Sequence, residues 1–157
     1  MAHTTRFALE STRIRAIHPA VCAVNGRWFA AWLREDLGRV SIEVATLHKG
    51  RVERRRVAEV WTSLDPVELA LAAPQIASRP NGGVWLAWRE SRGNLPAIYL
   101  RALDPLGRHD GPEHRLSTRG VAAANTRFAL ASNHRGGWAC LFAEPRENLQ
   151  TVCLAWG

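Results

Sequence analysis

The sequence predicts an all-β protein built from repeated four-stranded antiparallel blades, and three observations predict it. Residues Pro74 to Ser117 read as four short strands in a row, the pattern of a single meander. A second copy follows at fixed register. Gly83 and Gly137 stand 54 positions apart, and the same offset lays Trp88 on Phe142, Glu90 on Glu144, Arg92 on Arg146, Asn94 on Asn148 and Leu100 on Leu154. A looser copy comes first, with Pro19, Gly26, Trp32 and Glu35 set against Pro74, Gly83, Trp88 and Glu90 across turns of different length. A period of about 55 residues is typical of propeller blades. The expectation is therefore a β-propeller with three blades per chain, at about 12–62, 63–118 and 119–157, in a single domain.

Thr4 to Ser11 alternates Phe7 and Leu9 with Arg6, Ala8 and Glu10, a strand with no partner in its own repeat. The first blade places strands near Ala20–Val24, Trp28–Leu33, Val40–Leu47 and Val52–Val60, with His48, Lys49 and Gly50 as the last hairpin. Trp61 to Ala73 reads as a connection through the turn pair Asp65-Pro66. The second blade follows as Gln75–Ser78, an Asn-Gly-Gly turn, Val84–Trp88, Ala97–Leu103, the turn Asp104–Gly107 and a polar strand Glu113–Ser117. Phe128–Ser132, Trp138–Phe142 and Thr151–Trp156 supply three strands of the third.

The chain has 157 residues, 46% of them apolar, enough for one ordinary core. Seven Trp against one Tyr fall mostly at strand positions, where packing between sheets explains them before a ligand does. The formal charge of +7 comes from arginines, since Lys49 is the only lysine. These are spread over all repeats without a groove-reading motif, which argues against nucleic acid as the partner. Within Arg51–Arg56, RVERRR, charge suits an outermost strand that must not pair further. The segment MAHTTRFALES lacks the apolar stretch of a signal peptide and no run reaches membrane-span length, so a cytoplasmic location without membrane association is expected. Cys22, Cys140 and Cys153 lie in apolar strand contexts and read as buried reduced thiols. His109, Asp110 and His114 lack a third ligand at metal-binding spacing and read as a solvated turn, and no motif for a cofactor is present.

The best functional candidates are charged loops that recur after the second strand of each blade. They carry Arg34 and Glu35, then Arg89, Glu90 and Arg92, then Glu144 and Arg146. Blade geometry gathers them on one face, where guanidinium and carboxylate groups can hold a glycan or an acidic peptide. The competing reading has each Glu pairing with an Arg of its own or the neighbouring blade to keep the blades in register.

A Trp and an acidic residue closing a strand (Trp88, Glu90), an Arg-containing loop (Arg92), an Ile-Tyr strand (Ile98-Tyr99) and an Asp-x-x-Gly turn (Asp104–Gly107) together resemble the sialidase-like, BNR or Asp-box-like, propeller repeats of bacterial proteins. The resemblance covers nearly the whole chain and implies the blade fold. The Asp box departs from the family pattern, with Ala102 where a Ser or Thr belongs and Arg108-His109 where an aromatic belongs, which leaves Asp104 a turn-capping role. A sialidase would bring an arginine cluster, a Tyr nucleophile with a partner Glu, and an acid/base Asp to one tunnel mouth. Here the one tyrosine, Tyr99, is matched by Cys153 in the next repeat, and the repeated Glu residues occur once per blade. The sequence thus favours a non-catalytic module that binds a glycan or protein through its Arg/Glu-rich face, with a hydrolase of anionic glycans and a purely structural assembly protein as alternatives. Three blades are fewer than closed propellers use, so a homodimer forming one six-bladed ring is expected, with residues 4–11 of one copy completing the third blade of the other.

Overall fold

The computed structural model describes residues 14–92, 95–118, 127–146 and 149–157, and the side chains of residues 146, 149 and 150 lie outside that description. The expected strand at residues 4–11 falls outside it as well. The described chain forms three antiparallel meander sheets.

The first sheet orders four ten-residue strands as β1 (Arg15–Val24), β2 (Arg27–Asp36), β3 (Arg39–His48) and β4 (Arg51–Val60). Each is longer than the sequence suggested, because two-residue hairpins end them. Asn25-Gly26, Leu37-Gly38 and Lys49-Gly50 all hold both residues at positive φ, between 48° and 78°. That matches the turn twist that right-twisted strands require. Arg51–Arg56 does lie on the outer edge strand, and Arg54 and Arg56 reach back to Glu43 on the adjacent strand.

The connection to the second sheet contains a six-residue helix, α1 (Pro66–Leu71), where the sequence suggests only a turn. Asp65 is its N-cap, accepting hydrogen bonds from the Val67 and Glu68 N–H groups at 2.8 and 3.3 Å, and Pro66 supplies a preset first-turn φ. Leu69 and Leu71 point inward and are buried. Asp-Pro is as good a helix start as a turn start, and the burial of these leucines decided between them.

The second sheet runs β5 (Gln75–Ser78), β6 (Val84–Glu90), β7 (Ala97–Leu103) and β8 (His109–Arg115). Its last strand begins earlier than expected, so His109, Asp110 and His114 sit in a strand and not in a turn. Gly111-Pro112 is tolerated there because β8 is an edge, where a missing N–H interrupts no ladder. The third sheet comprises β9 (Ala129–Ser132), β10 (Trp138–Arg146) and β11 (Leu149–Trp156), ordered β11-β10-β9. The offset of 54 holds in its pairing register. Trp88 faces Tyr99 and Phe142 faces Cys153, while Ala87 faces Leu100 and Leu141 faces Leu154. Gly83 is required by close approach, since a Cβ there would stand 2.1 Å from the Leu103 carbonyl oxygen.

The sheets stack face to face. On β6 and β7, Val84, Leu86, Trp88, Ala97, Tyr99 and Leu103 join a core with Phe29, Leu33, Ile42 and Val44 of the first sheet and Leu69 of the helix. The alternate residues Ala87, Ile98 and Leu100 join a second core with Phe128, Cys140 and Phe142 of the third. This is the two-residue alternation of strands buried on both faces. The short strand β5 lies against β1 on one side and β9 on the other, so the first strand of each sheet faces a common inner side. Meanders stacked in this way are propeller-type architecture. Among the cysteines, Cys140 is buried and Cys22 and Cys153 are half-buried, all free thiols. Burial pushes Cys22 up to about 11 and Cys140 up to about 12, so both stay protonated and inert at neutral pH.

Candidate functional site

Because every sheet is an antiparallel meander, alternate connections fall at opposite ends. The β2–β3 turn, the C-terminal ends of β6 and β10 and the segment carrying α1 all lie at one end, so Arg34, Glu35, Arg89, Glu90 and Glu144 share one face.

On that face the guanidinium and carboxylate groups are drawn largely into contacts within the chain. Glu35 pairs with Arg15 across the β1–β2 edge at 3.0 Å. Arg34 bonds Asp36 at 2.9 Å and approaches the buried Glu43 at 3.7 Å. Arg89 is 1% exposed and donates to Glu68 of α1 at 2.8 Å, which ties the helix to the second sheet. Glu90 is also 1% exposed and pairs with Arg92 at 2.5 Å. Arg92 continues to Glu113 at 2.8 Å and lies over the Tyr99 ring, itself stacked on Trp88. Burial raises the Glu90 carboxyl above the ordinary range, only partly offset by the Arg92 guanidinium and by contacts with Trp61 and Trp88.

Glu144 repeats the position of Glu90. It accepts the Thr118 backbone N–H at 2.7 Å, from the segment that leaves the outermost strand of the preceding sheet. The equivalent segment before Glu90 is held by the Ser91 N–H donating to the Trp61 carbonyl at 2.6 Å. Both repeats therefore fasten the end of their second strand to the chain leaving the previous sheet. The side chain of Arg146 lies outside the described residues.

The opposite end is capped by side chains that fold turns. Asp104 accepts N–H groups of Leu106 and Arg108 at 2.8 and 2.9 Å and the Arg108 guanidinium at 2.7 Å. Burial acts to raise its carboxyl, but these bonds outweigh it and hold the group below the usual range. Asn133 caps a turn in the same manner in the third sheet, accepting from Arg135 and Gly137 at 2.9 and 3.0 Å. His109 contacts the Val57 carbonyl and Arg101, bridging the first two sheets, and Asp110 pairs with Arg79 at 2.6 Å. Among the described residues no group of three His, Cys, Asp or Glu side chains is placed to hold a metal ion.

Beside the buried charges on the loop face runs an open groove of about 580 Å³, lined by Gly38, Arg39, Val40, Glu59, Val60, Trp61, Thr62, Ser63 and Ser91. Arg39, Val40 and Glu59 also line a neighbouring groove of about 340 Å³ that extends over Asp36 and Arg56. Trp61 is 64% exposed, which places an indole on the wall of a cleft that also presents the apolar Val40 and Val60 and the polar groups of Arg39, Glu59, Thr62, Ser63 and Ser91. Sequence reasoning passed over Trp61. The signal within reach was a Trp directly after a charged edge strand and before Thr62-Ser63, where no sheet alternation accounts for it.

No protein-family model matches the chain, and no curated protein matches it. Solved structures similar in chain path include two examples. One is an α-L-arabinanase of Cellvibrio cellulosa complexed with arabinohexaose, at 14% identity and a TM-score of 0.41, covering 90% of this chain and 51% of that one. The other is a bifunctional GH43-CE protein of Bacteroides eggerthii, at 13% identity and a TM-score of 0.32, covering 84% of this chain and 23% of that one. This chain thus spans about half the length of the arabinanase. Likeness at this level carries no functional inference for this chain.

Proposed function

We propose that the protein is a non-catalytic propeller module that binds a glycan in the groove beside Trp61. The observation that carries the reading is the exposed Trp61 indole in a cleft lined by Arg39, Glu59, Ser63 and Ser91. A flat aromatic face covers the C–H side of a sugar ring, while hydroxyls and charged groups at the rim match its ring of hydroxyls, the usual division between an apolar wall and a few polar anchors. The repeated Arg and Glu residues support the site from behind. Arg89, Glu90 and Arg92 hold the loop that carries Ser91, and the Ser91–Trp61 hydrogen bond fixes the cleft wall.

The hydrolase reading gains no comparable observation. Tyr99 is 7% exposed, its ring between Trp88 and the Arg92 guanidinium, a packed position. A glycan array tests the proposal. Binding to a defined set of glycans is expected, weakened at least about tenfold by Trp61→Ala, a loss worth about 1.4 kcal/mol, and unchanged by Arg135→Ala in the Asn133 turn at the opposite end. An array without binding, or binding indifferent to Trp61→Ala, contradicts it.

A further inference from the structure

The repeat supplies a template for an interface that the described chain leaves uncovered. On the second sheet the face toward the third is built on Ala87, Ile98 and Leu100, each 0% exposed. Fifty-four positions on, Leu141, Val152 and Leu154 take the same places at the same register, and are 46%, 69% and 55% exposed. Trp156, the counterpart of Ala102, is 73% exposed. The other end of the stack carries an apolar patch too, beside the cluster of Arg34, Glu43, Arg54 and Arg56. The outward face of the first sheet holds a hollow of about 200 Å³ walled by Val21, Trp28, Ala30, Ala45, Leu47 and Val52, with Val21 67% and Trp28 57% exposed. Contiguous apolar faces on this scale mark interaction surfaces.

We infer that a second copy of this chain covers both ends, its first sheet packing on the third sheet here and its third sheet on the first, to close one six-bladed ring. The occupant follows from the repeat. What belongs on Leu141, Val152 and Leu154 is a sheet face of the kind that covers Ala87, Ile98 and Leu100, and this chain carries one such face unoccupied, at its other end. A projecting Trp156 indole at one end and an apolar hollow at the other are complementary in shape. A contact between two different patches generates a ring when the rotation closes and a filament when it does not. Three sheets are too few for a closed propeller and nine exceed the usual range of about four to eight, so two copies are the closing number. The third sheet also has an open place. Strand β11 holds the position that β3 and β7 hold, yet β4 and β8 pair with those two, and among the described residues nothing pairs with the outer edge of β11. The inference is independent of the ligand, and binding on an array neither supports nor opposes it.

Light scattering after size exclusion on the unaltered chain should give twice the 17.4 kDa chain mass. A monomer, or an open ladder of larger species, overturns the inference, and this holds even where a variant fails to fold. Leu154→Lys and Trp28→Glu, at opposite ends, should each give a folded monomer with an unchanged far-ultraviolet dichroism spectrum. Mixing the two should restore a dimer, because the mixed pair keeps one unaltered contact. A variant that stays dimeric, or a mixture that stays monomeric, contradicts the pairing of the first sheet with the third.

Discussion

The second and third sheets share one sequence pattern at an offset of 54 and one pairing register, yet they differ in burial. The second is covered on both faces, so Leu100 is fully buried, while its counterpart Leu154 is 55% exposed. The strand sequence does not set this difference; the neighbour does. An apolar residue repeated at an equivalent position is the kind of site a neighbouring sheet covers, and the proposed second copy would supply that neighbour for Leu154.

The contrast is broken most strongly by truncating the matched pair. Leu100→Ala should cost about 2–5 kcal/mol in chemical denaturation, because a fully buried site leaves a cavity between two sheets. Leu154→Ala should change the fold of a dilute chain by no more than about 0.5 kcal/mol and act instead on association. Equal losses in dilute solution would contradict the comparison.

A smaller effect tests how the second sheet is fixed to what surrounds it. Glu68→Ala leaves the buried Arg89 guanidinium without its carboxylate and should cost about 1–3 kcal/mol by the same measurement. No loss would show that α1 is merely apposed to β6. In the first sheet Leu37 is 99% exposed and sits at φ 50°, which suits Asn better than Leu. Leu37→Asn should therefore raise stability by roughly half a kcal/mol, and a loss would mean that Leu37 touches something the described chain does not contain.

The smallest effect is a slope with pH. Glu90 has a carboxyl raised by burial, so its contribution to stability is complete below the ordinary carboxylate range and is lost as pH rises through the raised folded value. The advantage of the unaltered chain over Glu90→Gln should shrink from acid toward neutral pH in thermal unfolding. Asp104 has the opposite sign, its carboxyl held low, so its contribution is present at neutral pH and lost in acid. An advantage over Glu90→Gln that grows toward neutral pH would place Glu90 among the groups stabilised as anions.

Much of this fold was legible in the sequence because strand alternation and Gly-containing turns are local signals. The repeat offset carried more, since it fixed register as well as strand position, and the structure reproduces it pair by pair from Ser78–Val84 to Ser132–Trp138. What escaped depends on context. Asp65-Pro66 starts a helix because Leu69 and Leu71 find a core to enter, and Gly111-Pro112 sits in a strand because that strand is an edge. The site was legible only in outline. Charged loops were placed on one face by topology, but whether a charge faces solvent or a neighbour depends on packing between sheets, and Arg89 and Glu90 lie inside. Trp61 came to notice only when a cleft formed around it.

Thermal unfolding followed over a wide range of protein concentration asks whether the exposed ends of the stack are halves of one interface. If folding and pairing are coupled, the midpoint should fall by a few degrees on roughly hundredfold dilution, an effect worth about 2.7 kcal/mol per dimer. A midpoint that stays constant over the same range would show that the two ends do not pair.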